Sequence, residues 1–128
     1  MSQVTSIRTI FVLVAALLAA GPARADGWVE PEQRCDGNTR EIVDCLIDRT
    51  AQWEKRMTAA YEQVLKDALP EQRPSLLKAQ KLWFDYRDAN CVYYGHGPGT
   101  WAGIQAGYCM KDLTATRAQE LESQTERH

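Results

Sequence analysis

Histidine is scarce in this chain: only His96 and His128 occur in 128 residues. An acid–base constellation therefore has few imidazoles to draw on. Asp85 with Asp88, and Glu120 with Glu122, can be read as paired carboxylates, but solvated helix faces routinely carry such charges. Ser75 has no elbow motif around it. The chain also lacks CxxC and His-x-x-x-His spacing, which removes the usual basis for zinc, haem attachment or thioredoxin-like redox chemistry. No basic cluster occurs, which argues against nucleic acid as a partner. Alternating apolar and polar runs are missing too, so no substantial sheet is expected. These absences together predict a non-enzymatic protein with no cofactor and no metal.

What is present begins with a leader. Arg8 precedes an apolar run from Ile10 to Ala20, followed by Gly21-Pro22-Ala23-Arg24-Ala25. Ala23-Arg24-Ala25 has the small-x-small form of a cleavage site, and the run is about half the length of a membrane-spanning helix. Residues 1–25 read as a cleaved signal peptide and 26–128 as one domain, periplasmic or secreted, with no stable membrane insertion after cleavage. The first cysteine, Cys35, lies too far past the cut to serve as a lipoprotein anchor. Losing Arg8 and Arg24 moves the formal charge from −2 to −4. That mild acidity favours a cationic partner over an acidic one.

Four cysteines, Cys35, Cys45, Cys91 and Cys109, provide for two disulfides in an exported chain. Cys35 with Cys45 and Cys91 with Cys109 are the favoured pairs, because each closes a short loop. Pairings that tie the first helix directly to the second or third stay open.

Asn38-Thr39-Arg40-Glu41 reads as a capping box. Beyond it Ile42, Leu46, Trp53, Met57, Ala60, Tyr61, Val64 and Ala68 form one apolar stripe, with neither glycine nor proline in between. A first helix is expected over about 41–68. Leu69-Pro70-Glu71-Gln72-Arg73-Pro74 ends it, and Pro74 can open a second helix running to Asn90 or Cys91. A connection this short predicts an antiparallel pair. A third helix starts between Thr100 and Gln105, with Cys109, Leu113, Thr116, Arg117 and Leu121 inward and 122–128 frayed. The fold class predicted is all-α: a small antiparallel bundle of about three helices, stapled by two disulfides at one end.

Within the second helix, Leu76, Gln80, Trp83, Phe84, Arg87 and Cys91 share a face. A buried guanidinium keeps its charge and needs a partner. Arg87 is therefore read as a hub for which Asp44, Asp48, Glu54, Asp112 and the largely outward Asp88 are the available carboxylates, Asp44 or Asp48 being preferred, with an anion site as the alternative. The stretch after Cys91 holds four glycines and a proline and reads as a loop. Tyr93, Tyr94, His96 and Trp101 stand in it as candidate partner-binding residues, since aromatic side chains offer large contact area with few rotors. The alternative is that they fold back over the bundle end.

Gln80-x-x-Trp83-x-x-Tyr86-Arg87-Asp88-x-x-Cys91, followed by Cys109 and Thr114-x-x-Arg117-x-x-x-Leu121, resembles the LprI-like lysozyme-inhibitor family over nearly all of the chain after the leader. The family's Asp-x-x-Leu-Asn-x-x-Tyr motif corresponds to Glu54-x-x-Met57-Thr58-x-x-Tyr61, with three departures. Methionine conserves core volume, whereas threonine cannot make the amide hydrogen bonds of asparagine. The resemblance implies a small helical, disulfide-linked envelope protein that binds a lysozyme or another cell-wall hydrolase. It gives Gln80, Trp83, Arg87, Asp88, Thr114 and Arg117 a scaffold role. The function expected is a periplasmic lysozyme inhibitor that occludes the enzyme's cleft, the alternative being a non-catalytic envelope adaptor or assembly factor.

Overall fold

The computed structural model describes residues 34–127, which lie within one compact unit, Gln33–His128. The leader and the lead-in to residue 33 fall outside the described residues. Three helices account for the fold: α1 (Thr39–Asp67), α2 (Arg73–Gly95) and α3 (Trp101–Thr125). Among the described residues there is no strand.

The expected capping box opens α1. Asn38 Oδ1 accepts from the backbone amides of Arg40 and Glu41 at 3.0 and 3.1 Å, and Glu41 Oε2 accepts from the Asn38 amide at 2.8 Å. Gly37, at φ 111°, makes room for this exchange, since a Cβ there would run into the Glu41 carboxylate. The stripe read from the sequence faces inward, with Leu46, Trp53, Met57 and Ala60 buried. Thr50 joins them. It is tolerated there because its hydroxyl donates to the Leu46 carbonyl at 2.8 Å.

After Ala68 the backbone turns extended and Pro70 stops the helix. The turn is tied by the Gln72 side chain, which accepts from the Leu69 amide at 2.9 Å. Pro74 stands in the first turn of α2, where its missing amide costs nothing.

The chain runs up, down and up, so α1 and α3 are parallel and α2 is antiparallel to both. Val43 and Leu46 lie beside Gly103 and Gly107, while further along Arg56 reaches Glu122. On the other flank of α3, Cys91 bonds Cys109 and Gln80 meets Arg117. The main packing interfaces are α1 with α3 and α2 with α3. Trp53, Met57, Ala60, Ala118 and Leu121 form the core, flanked by Tyr61, Val64, Trp83 and Ala115. Full burial of Met57 and Leu121 is worth about 1.5–3 kcal/mol each.

Both favoured disulfides, Cys35–Cys45 and Cys91–Cys109, are formed. Three local expectations need correction. The second helix does not stop at Cys91 but continues to Gly95, so Tyr93 and Tyr94 are helical and the connection shrinks to residues 96–100. Val92-Tyr93-Tyr94 contains no breaker, and the His96 amide still bonds the Val92 carbonyl at 3.1 Å. In α3, Thr116 is exposed and Thr114 takes the inward place. The end of α3 is also longer than expected. It runs to Thr125 because Arg56 Nε and Nη2 grip both Glu122 oxygens at 2.8 and 2.7 Å.

Candidate functional site: a polar hub beneath an exposed aromatic end

Two polar layers cross the bundle, each drawing on all three helices. In the upper layer Arg87 of α2 donates through Nη1 to Glu54 of α1 at 2.8 Å and to the Thr114 hydroxyl of α3 at 3.3 Å. Its Nε donates to Asp88 at 2.9 Å. The guanidinium also lies 5.2 Å from the Trp83 ring centroid and 5.1 Å from that of Phe84. In the lower layer, two turns along α2, the Gln80 carbonyl accepts from Arg117 Nε at 3.0 Å, and its amide contacts Met57 Sδ at 3.7 Å. Arg117 spends another donor on Glu120 at 2.7 Å. Among the described residues, no buried side-chain nitrogen or oxygen is left without a partner.

Arg87 does not pair with Asp44 or Asp48. Asp44 is exposed and reaches Arg40 at 3.8 Å instead. The register differs because α2 extends more than a turn past Cys91, so that Arg87 stands beside the middle of α1 at Glu54. Asp88, which the helical wheel turns away from the core, folds its carboxylate back onto its neighbour. Glu54 and Asp88 saturate the charge of Arg87, and the anion-site alternative loses its vacancy. The side chain of Arg87 is 7% exposed, whereas those of Glu54 and Asp88 are 44% and 61% exposed. The carboxylates therefore stay partly hydrated, and the cost of desolvation falls mainly on the arginine.

On the opposite face of α1 from this hub, a second charged pair closes the far end. The forked bond to Glu122 is the leading cause that raises the Arg56 guanidinium above its already high value. Because that pKa is raised, the associated stability is present below the unfolded value and is lost only as pH rises through the folded one. No neutral-range pH dependence arises from this group. Arg56 also stacks 4.2 Å from the Trp53 ring.

Above the hub, the cystine end carries the candidate contact residues. Tyr93 and Tyr94 form the last turn of α2, with their rings edge to face at 5.4 Å. His96 caps that helix, and Trp101 is the first residue of α3. All four are exposed, so the alternative in which they fold back over the bundle end is not what the chain adopts. Gly99, at φ 75°, makes the reversal between the helices. Two shallow grooves flank the Cys91–Cys109 link. One, about 580 Å³, passes Asp88, Val92, His96 and Met110; the other, about 340 Å³, passes Asn90, Tyr94, Tyr108 and Asp112.

Tyr108 was missed by sequence reasoning, although Trp101, Gln105, Tyr108 and Asp112 follow the three- and four-residue spacing of one helix face. Glu54, one of the available carboxylates though not the preferred one, is the partner that Arg87 takes on α1. Its extra methylene carries the carboxylate to Arg87, while Thr58 is exposed, so the lost asparagine hydrogen bonds belong to the solvent face. Among the described residues no three His, Cys, Asp or Glu side chains group as a metal site, and no helix is long and apolar enough to cross a membrane.

No curated protein and no solved structure matches the chain. Residues 32–121 match the family model described as "Lysozyme inhibitor LprI". The match takes in both disulfides, Glu54, both polar layers up to Glu120 and the core through Leu121. The chain belongs to the LprI lysozyme-inhibitor family.

Proposed function

We propose that this protein is an exported, non-catalytic binding domain that inhibits lysozyme by covering its active cleft, acting in the periplasm or as a secreted protein. One observation carries the reading: Tyr93, Tyr94, His96 and Trp101 are all exposed at one end, on helix termini tied together by a disulfide. Large apolar side chains held on helix ends lose little freedom on binding, which is what interface anchors require. His96 can donate a ring N–H toward the carboxylates that line a glycosidase cleft. The formal charge of −4 after loss of the leader favours encounter with a cationic lysozyme.

The test is cell-wall hydrolysis by several lysozymes in the presence of the oxidised protein. Dose-dependent loss of lysis is expected, and undiminished lysis at large excess would sink the reading. Tyr94→Ala and Trp101→Ala are each expected to weaken inhibition at least ~10-fold with the helical circular dichroism retained. An endogenous envelope protein captured by the same bait, with lysozyme left unbound, would favour the adaptor role instead.

A further inference from the structure

The second helix has a mixed inner face and a largely apolar outer one. The inner one packs on α3 and carries Gln80, Arg87 and Cys91. On its outer side Ser75, Ala79, Leu82, Tyr86, Ala89 and Tyr93 succeed one another at intervals of four, three, four, three and four residues, the a/d spacing of a helix-pairing seam. All six are exposed, and the three large ones are 54%, 56% and 74% exposed for Leu82, Tyr86 and Tyr93. An apolar stripe kept in phase along a whole helix is more than scattered surface hydrophobicity.

We propose that this seam docks a second copy of the chain, α2 against α2, antiparallel about a twofold axis. The seam is complementary to its own reverse. When Tyr86 faces Leu82 of the second copy, Ala79 faces Ala89 and Tyr93 covers Ser75, so each of the two symmetry-related Ala79–Ala89 layers is flanked by layers holding a bulky residue. That same register overlaps α2 along its full 23 residues. Beside the seam Lys81 and Asp85 are paired at 2.8 Å. The twofold sets the two Asp85 side chains near each other, each neutralised by its own Lys81. A helix pair about 34 Å long buries on the order of 1,200 Å² in total, the lower end of the range for specific association. Symmetric twofold dimers are also the commonest soluble assembly, because one patch serves both partners. The seam shares Tyr93 with the proposed lysozyme-contacting end, whereas Leu82 and Tyr86 lie outside that end, so substitutions at those two positions test the pairing separately from inhibition.

Sedimentation velocity on the oxidised protein at about 1–200 µM, a span suited to a micromolar Kd, is expected to show monomer passing to dimer with concentration. Leu82→Glu sets carboxylates near the twofold and should raise the dimer Kd at least ~100-fold, with helical content unchanged because the position is already exposed. Tyr86→Glu should do the same. Leu77→Glu, at a comparably exposed site off the seam, should leave the dimer intact. A parent protein that stays monomeric across the range, a dimer that persists in Leu82→Glu and Tyr86→Glu, or equal loss in Leu77→Glu would each overturn the proposal.

Discussion

At Arg87 a guanidinium that cannot shed its proton is held among Glu54, Asp88 and Thr114, with aromatic rings on its flank. Replacing it by alanine removes packing and the link between helices, but the carboxylates left behind remain hydrated. The loss of stability is therefore expected to be about 2–3 kcal/mol, below that of a fully buried pair, read as a shift of the urea midpoint at constant m. Lysozyme inhibition per folded molecule should be unchanged. Glu54→Gln should cost no more than about 1 kcal/mol, because its carboxylate is nearly half exposed. The need of Arg87 for a carboxylate was legible in the sequence. Which carboxylate was not, because that depends on how far α2 runs, and the glycines after Cys91 concealed its last turn.

At the scale of elements, the approach of α1 to α3 is set by a glycine. A Cβ on Gly107 would lie 2.9 Å from Leu46 Cδ1 and 3.2 Å from its Cβ. The branch end of leucine can rotate away, but its Cβ is fixed to the backbone. Gly107→Ala gains up to about 1 kcal/mol in helix propensity and loses about 1–3 kcal/mol to overpacking, so net destabilisation is expected. In a Leu46→Ala background the clash with Cδ1 goes while the contact with Cβ stays, so the cost of the same change should shrink without vanishing, and a double-mutant cycle by chemical denaturation measures the difference. The inward stripe of α1 was legible because an uninterrupted helix of 29 residues repeats its period many times. The contact at Gly107 was not, since periodicity assigns a face without fixing how closely two backbones approach.

For the whole molecule, the two cystines differ in what they join. Cys35–Cys45 ties the lead-in to α1, whereas Cys91–Cys109 staples two packed helices across 18 residues. Loop entropy alone separates them little, giving about 3 kcal/mol each. The distinction comes from the native side, where Cys91 is buried and the second bridge holds the α2–α3 interface in register. Serine replacement of Cys91 and Cys109 together should therefore lower Tm more than replacement of Cys35 and Cys45, as measured by thermal circular dichroism. Fold class and pairing were legible in cysteine spacing and helical period. The aromatic end was legible in composition, but its rigidity was not, because helix and loop differ there by one unbroken turn.

The parallel packing of α1 on α3 also orders events in time. Arg56 and Glu122 are 66 residues apart, with all of α2 between them, so the α1–α3 interface requires the longest chain closure in the domain. The α2–α3 hairpin needs far less and can form first. A chain threaded out of the cell from its amino end would therefore deliver Trp53 and Met57 before Ala118 and Leu121 exist to receive them. For that interval α1 travels with its core face bare, and it is the segment a transport chaperone would meet.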